Sequence, residues 1–216
     1  MASQAISTQG TNVYISSGSG TAKTITAVTK AAQAVVTTSV AHTLVVGDVV
    51  NFAAVTGMPE LNNVRAVIVA TASATTFTVN VDSTNFVAAG TAGTATPLTY
   101  VSSCEITNFD GLDGEASEID TTTLCSKSKE YRLGLRDAGN FSINFNVVLD
   151  DLGQAELRKA QADGFIRNVK VVLPNKDSMV FDALVKSYTV SGGVDAVLTG
   201  SSGLRITGEV SFVIAP

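Results

Sequence analysis

Three stretches of the chain alternate between apolar and polar residues, and that period of two restricts the fold more than any other feature. Phe141, Ile143 and Phe145 are separated by Ser142 and Asn144, and the apolar phase continues through Val147 and Leu149. Met179, Phe181, Ala183 and Val185 repeat the pattern. Leu204, Ile206, Val210 and Phe212 alternate with Arg205, Thr207, Glu209 and Ser211. Successive side chains of an extended strand point to opposite faces, so each stretch has one apolar face and one wet face. Strands of this kind are antiparallel and half buried, in a sandwich or a barrel. The wealth of Val, Ile and Thr favours the same outcome. A chain of 216 residues buries roughly 70% of its extended surface, enough for a core without covalent staples.

One segment has a different period. Leu152, Ala155, Leu157 and Ala160 form an imperfect apolar stripe at helical spacing, which predicts a helix over 152–163. Asp151 is placed to cap its start, and Gln154 stands where a capping box needs it. Gly164 is placed to end it. Gly153 in the first turn is the one unfavourable residue. The expected picture for residues 98–216 is a β-sandwich with one flanking α-helix.

Charge divides the chain near residue 97. Residues 1–97 carry three basic and three acidic side chains, whereas 98–216 carry eleven and sixteen. The first part is rich in Ala, Thr, Val, Ser and Gly. It offers candidate strands at 24–29, 34–38, 48–52, 64–71 and 76–81, with Gly47, Gly57, Pro59 and Asn62-Asn63 at the turns. We read it as a small all-β unit, with linkers expected at 16–20 and 90–97.

Composition excludes several functions. The net charge is -5, and an acidic chain grips nucleic acid poorly, because phosphate binding depends on Lys and Arg. His42 is the lone imidazole, which leaves a His-based catalytic network or metal site almost nothing to be built from. Its expected role is a turn residue bonded to its neighbours. Cys104 and Cys125 read as free thiols. The first residues have neither a basic nor an apolar region of a signal peptide, and no apolar run approaches a membrane span. The stretch 18–24 lacks the glycines of a phosphate loop, and no Gly-x-Ser-x-Gly elbow is present. No cofactor and no enzymatic activity are expected.

Asp110, Asp113, Glu115, Glu118 and Asp120 cluster in one stretch. A carboxylate pair or a calcium loop is one reading, but the register of a calcium loop is missing, and a solvated acidic loop is the other. The segment 109–139 is long for a loop, and long loops in compact domains tend to be functional or disordered. Residues 120–124 read as strand, so the segment is expected to be an extended hairpin reaching outward.

These residues carry a resemblance. Asp120-Thr121-Thr122-Thr123-Leu124, then Glu130-Tyr131, Gly134-Leu135, Asp137 with Gly139, and Asn146 with Asp150-Asp151 resemble the tail tube proteins of long-tailed, flexible-tailed bacteriophages. The likeness spans 1–21 and 98–216 as many short matches in order. Residues 22–97 look like an insert after the first strand. Ala41-His42, Gly47-Asp48, Gly57-Met58, Glu60-Leu61-Asn62 and Thr76-Phe77-Thr78 resemble the small β-barrel module of ubiquitin-activating enzymes. That likeness implies no ubiquitin chemistry, which needs a cysteine the segment lacks.

The resemblance implies a structural virion protein: hexameric rings stacked into a tail tube that conducts the genome. The alternative is a virion β-sandwich binding module or adhesin for a host surface. The implied fold is a tail-tube-type antiparallel β-sandwich with one flanking helix, plus the inserted small all-β domain. The implied partners are further copies of itself, a tape-measure protein, tail terminator or tip proteins, and DNA that passes through without specific binding. No membrane is implied, and the implied location is the virion tail, assembled in the host cytoplasm. Candidates for ring stacking or the subunit interface are Asp110, Asp113, Asp120, Thr122, Tyr131, Leu135 and Asp137, with residues 1–10 and 213–216 as further arms. Glu105, Glu118 and Asp120 are candidates either for the lumen wall or for an outer solvated face.

Overall fold

The computed structural model describes residues 5–215, so the expected terminal arms lie partly outside the described residues. Among the described residues, fourteen strands and one α-helix follow in chain order. They are β1 (Asn12–Ser19), β2 (Lys23–Val28), β3 (Val35–Thr38), β4 (Val49–Thr56), β5 (Arg65–Ser73), β6 (Thr76–Val79) and β7 (Ala92–Ser103). Then come β8 (Ile106–Gly111), β9 (Ala116–Asp120), β10 (Tyr131–Arg136), β11 (Asn140–Asn146), α1 (Leu152–Asp163), β12 (Arg167–Val172), β13 (Ser178–Ser191) and β14 (Thr199–Val213). The chain is mainly β, with antiparallel pairing. No helix among the described residues is long and apolar enough to cross a membrane.

The chain forms two compact units. The first comprises residues 1–102, 170–180 and 211–216, and the second comprises 103–169 and 181–210. In the first, strands pair in the order β2-β3-β6-β5-β4-β7, and β7 pairs back onto β2. The six strands therefore close into a barrel, which removes the open edges that a small sheet would otherwise expose. Phe52, Phe77, Ile25, Ile68, Met58 and Leu61 fill its interior. His42 is buried against it, edge-on to Phe77 at 5.2 Å. Its Nδ1 accepts from Leu44 N at 3.0 Å and its Nε2 donates to Ser73 O at 3.0 Å. Both ring nitrogens are engaged in holding a turn, the structural role expected for this residue.

The two expected linkers are strands instead. Residues 16–19 end β1, and 92–97 begin β7. Their small residues sit where backbones approach: Gly20 N donates to Pro97 O at 2.7 Å. On the outside of the barrel, Val49 and Val67 pack with Val180, Val213, Leu98 and Tyr100 of the same unit. Lys170 lies over the Tyr100 ring and pairs with Asp48 at 3.2 Å.

In the second unit, β11 pairs with β8 on one side and β14 on the other. Phe141, Ile143 and Phe145 point inward, as their alternation predicts, and Phe141 meets Phe181 edge-on at 5.1 Å. Each buried ring contributes about 2–3 kcal/mol. The phase of β14 changes along its length. Leu204 and Ile206 are buried, but Phe212 is exposed and Val213 buried. Gly208 has φ +80°, and a left-handed residue in a strand is the mark of a bulge that swaps the two faces.

The helix has its expected bounds. Asp151 Oδ1 accepts from Gln154 N at 2.7 Å, and Gly164, at φ +68°, closes the last turn with its N–H on Ala160 O. The buried face differs from the expected stripe: Gly153, Gln154, Glu156, Leu157 and Ala160 are buried, while Leu152 is exposed. Gln154 explains the shift. Instead of completing a capping box, its Oε1 accepts from Val148 N at 3.0 Å and its Nε2 donates to Asn146 O at 2.9 Å. A fully buried amide thereby satisfies two backbone groups of the β11–α1 connection.

Candidate functional site

β9 and β10 form a two-stranded sheet of their own, inserted between β8 and β11. Tyr131 stands opposite Asp120, Arg132 opposite Ile119, and Leu133 opposite Glu118. Nearly every residue of both strands is exposed. An isolated two-stranded hairpin is marginal in water, and among the described residues no core packs beneath this one to supply the missing stability. Yet Tyr131, Leu133 and Leu135 leave apolar surface exposed along β10, Leu133 at 75% and Leu135 at 92%, and the register with β9 shifts between Leu133 and Arg136.

Hydrogen bonds at both ends hold the hairpin in shape. At the tip, Asp120 Oδ1 accepts from Thr122 N at 2.8 Å, and Thr122 Oγ1 accepts from Glu130 N at 3.0 Å. The bonds from Thr122 hold the Asp120 carboxyl below the usual aspartate range. Thr123 and Ser126 close the turn, which presents Leu124, fully exposed, and Cys125, also exposed. At the base, Asp113 Oδ1 accepts from Asn140 N at 2.8 Å and Asp137 Oδ1 accepts from Gly139 N at 2.9 Å. Asp137 also pairs with Arg205 on β14. Gly139, at φ +82°, passes so close to Asp113 and Gly114 that a Cβ there would collide with both.

The sequence candidates therefore sort by position. Asp113 and Asp137 anchor the base, while Asp110 accepts from its neighbour Gly111 N. Asp120 and Thr122 shape the tip. Tyr131 and Leu135 present free apolar surface along the strand. Leu133, between them on β10, was not singled out from sequence. Leu124 was likewise missed, since a lone Leu in a Thr-rich turn has no periodicity to mark it.

Glu118 and Asp120 lie on the same hairpin, whereas Glu105 does not. Glu105 occupies a bend between β7 and β8 at φ +60°, not a strand as expected, and its Oε2 accepts from Asn146 Nδ2 at 3.1 Å. The structure thus brings Glu118 and Asp120 together and leaves Glu105 at the other end of β11.

The base carries a pH dependence. The Gly139 N–H lowers the Asp137 pKa most; partial burial opposes this, and Arg205 adds to the lowering. A carboxyl with a depressed folded pKa stabilises the fold above its unfolded pKa and loses that contribution as pH falls through the folded value. Asp137→Asn is expected to melt below wild type at pH 7, with the gap closing as pH falls below 3.8, the unshifted value. A gap that stays constant from pH 7 to pH 2 in thermal melts would remove Asp137 from the anchor.

Two family models match parts of the chain. Residues 83–173, which include the whole hairpin, match the family described as phage tail tube, lambda-like. Residues 31–98, most of the barrel, match the FCCH domain of ubiquitin-activating enzyme E1. No curated protein matches. Among solved structures, the tail of an empty gene transfer agent particle, refined helically with C6 symmetry, is 17% identical. It covers 54% of this chain and 86% of its own, with a TM-score of 0.44. A chain from the virion of a native gene transfer agent particle is 18% identical over 54% and 88%, with the same TM-score.

Proposed function

We propose that this chain is a structural tail tube protein of the lambda-like phage type, a component of the virion tail, and that it polymerises as hexameric rings stacked into a hollow tube. The observation that carries this reading is the β9–β10 hairpin: anchored at its base, shaped at its tip, and covered by nothing in its own chain. Ordering such a segment is favourable only if another molecule buries its apolar residues. A second copy is always available to a polymerising protein, and a head-to-tail contact between different patches builds a filament.

The tube would conduct DNA during genome ejection, and an acidic wall repels phosphate and keeps transit fast. Glu118 and Asp120, exposed on β9, suit that wall while the apolar residues of β10 are covered. Glu105, engaged with Asn146, is not part of it. A tape-measure protein would fill the tube during assembly, and terminator and tip proteins would end it. We further propose that the sandwich of 1–21 and 98–216 builds the ring while the inserted domain, 22–97, decorates it.

Negative-stain microscopy of the purified chain at high concentration tests the proposal. Hollow tubes or stacked rings are the expected result, and a chain that stays monomeric at every concentration overturns it. In virions, Glu118→Lys with Asp120→Lys is expected to leave tails assembled and to slow genome ejection. Ejection at the normal rate would remove these two residues from the wall.

A further inference from the structure

We infer that the Asp110-Gly111 peptide is a site of spontaneous backbone rearrangement, through a cyclic imide to isoaspartate, and that the fold singles it out among three Asp-Gly pairs. This goes beyond the tube reading and does not depend on it. The reaction needs a carboxyl carbon held beside the next backbone nitrogen, and a glycine there puts no side chain in the way. The chain offers Asp110-Gly111, Asp113-Gly114 and Asp163-Gly164. Sequence cannot rank them, since each pair has the same two residues.

The structure ranks them by where the carboxyl and the nitrogen are engaged. Gly111 N donates to Oδ1 of its own neighbour Asp110 at 2.9 Å. That bond sets the Asp110 carboxyl over the nitrogen that must attack it, and reacting atoms poised for attack stand roughly 3–3.5 Å apart. Both residues are exposed, so water and protons reach them. Gly111 also ends β8, at φ +133°, where the backbone leaves the extended ladder.

The other two pairs are held out of reach of this reaction. Asp113 Oδ1 accepts from Asn140 N at 2.8 Å, so its carboxyl is turned across to β11. A Cβ on Gly114 would collide with Asp137 O and Ala138, so that peptide is wedged in place. Asp163 accepts from Phe165 N at 2.8 Å and pairs with Arg167 at 2.6 Å. The Phe165 N–H first, and Arg167 after it, hold the Asp163 carboxyl below the usual aspartate range, and an ionised carboxylate is the poorer electrophile. Gly164 N is bonded to Ala160 O at 3.0 Å, where it closes α1.

The atoms balance. A solvent proton neutralises the Asp110 carboxylate. Gly111 N bonds to Cγ, and the carboxyl hydroxyl leaves with the amide proton as water. A further water then opens the imide. Addition at Cγ returns aspartate, whereas addition at the former main-chain carbonyl leaves isoaspartate, with one more carbon in the backbone. That carbon would fall on the last rungs of the β8–β11 ladder, where Asp110 faces Ser142 and Gly111 faces Phe141. The β9–β10 hairpin leaves the sheet at this point.

The test ages the full chain for weeks in warm, mildly acidic buffer. Electron-transfer mass spectrometry then distinguishes isoaspartate from aspartate within a single peptide. Isoaspartate is expected to accumulate at Asp110 at least about tenfold faster than at Asp113 or Asp163. In guanidinium the three rates are expected to converge, because nothing then holds the carboxyls. Asp110→Asn in the folded chain is expected to reach the same imide by losing ammonia, read as a change in mass. Asp110→Glu, whose ring would be one atom larger, is expected to abolish the signal at this position. Isoaspartate forming at Asp113 or Asp163 as fast as at Asp110, or an order that persists in guanidinium, overturns the inference. So does an aged folded chain that carries none at Asp110, or an Asp110→Asn chain that keeps its amide.

Discussion

Replacing Leu133 and Leu135 together by Ser is expected to abolish tubes and leave the isolated chain as stable as before. Both side chains are largely exposed on β10 and bury little area in their own chain. Surface substitutions of this kind shift folding stability by no more than about 0.5 kcal/mol. In the tube the same side chains would be covered, and each buried Leu contributes about 1.5–3 kcal/mol. In a ring every copy would make the contact, so the loss would be repeated around it and growth would stop. Thermal melting of the monomer and electron microscopy of the concentrated protein read the two effects separately. Tubes from the double variant at wild-type concentration would mean that the two side chains stay in water, and a lowered melting temperature would mean that they support the monomer.

Gly153→Val is expected to displace α1 and destabilise the chain on the order of 5 kcal/mol, a large share of the stability of a typical domain. A Cβ on Gly153 would lie 2.5–2.6 Å from N, Cα and Cβ of Ser103. These atoms belong mostly to backbone and cannot step aside, so the helix must move. Displacing α1 also breaks the bonds of Gln154 to Val148 N and Asn146 O, and the bond that Asp151 Oδ2 accepts from Cys104 N. Each buried group left without a partner adds about 1–3 kcal/mol. Gly164→Ala is the control: nothing lies within 4 Å of a Cβ there, so only the left-handed backbone is strained, at about 1–2 kcal/mol. Denaturant midpoints compare the three chains. A Gly153→Val midpoint no lower than that of Gly164→Ala would show that the helix tolerates the added volume.

Gly153 shows why some of the structure was hidden in the sequence. Read locally, a glycine in the first turn only weakens a helix. Its actual role depends on Ser103, fifty residues earlier, and no pattern within the helix reports that approach. Gln154 is similar: its place suggests a capping box, but Val148 and Asn146 are nearer to its amide than the helix start. The bulge at Gly208 turned Phe212 outward for the same kind of reason, because a φ of +80° at one glycine outweighs the alternation on either side of it.

The candidate site was partly legible. The length of the 109–139 segment predicted a hairpin, and Tyr131 and Leu135 stand exposed on it, but 120–124 is not the strand expected: β9 ends at Asp120, and 121–124 begin the tip turn, whose shape Asp120, Thr122 and Ser126 fix by hydrogen bonds. The acidic residues could not be sorted, since Asp113, Asp137 and Asp120 look alike in sequence. Only their partners, Asn140, Gly139 with Arg205, and Thr122, separate base anchors from tip.

The sequence by itself determined the β-rich class, the single helix with its caps, the two resemblances and the absence of a His-based catalytic set. These depend on residue type and near-neighbour spacing, which the chain carries openly. Only the tertiary structure decided that the barrel closes through β7 onto β2, that residues 16–19 and 92–97 are strands and not linkers, and that Glu105 stands apart from Glu118 and Asp120. Each of these depends on which backbone groups meet across tens of residues. Long-range hydrogen bonding and packing settle that only when the whole chain has folded.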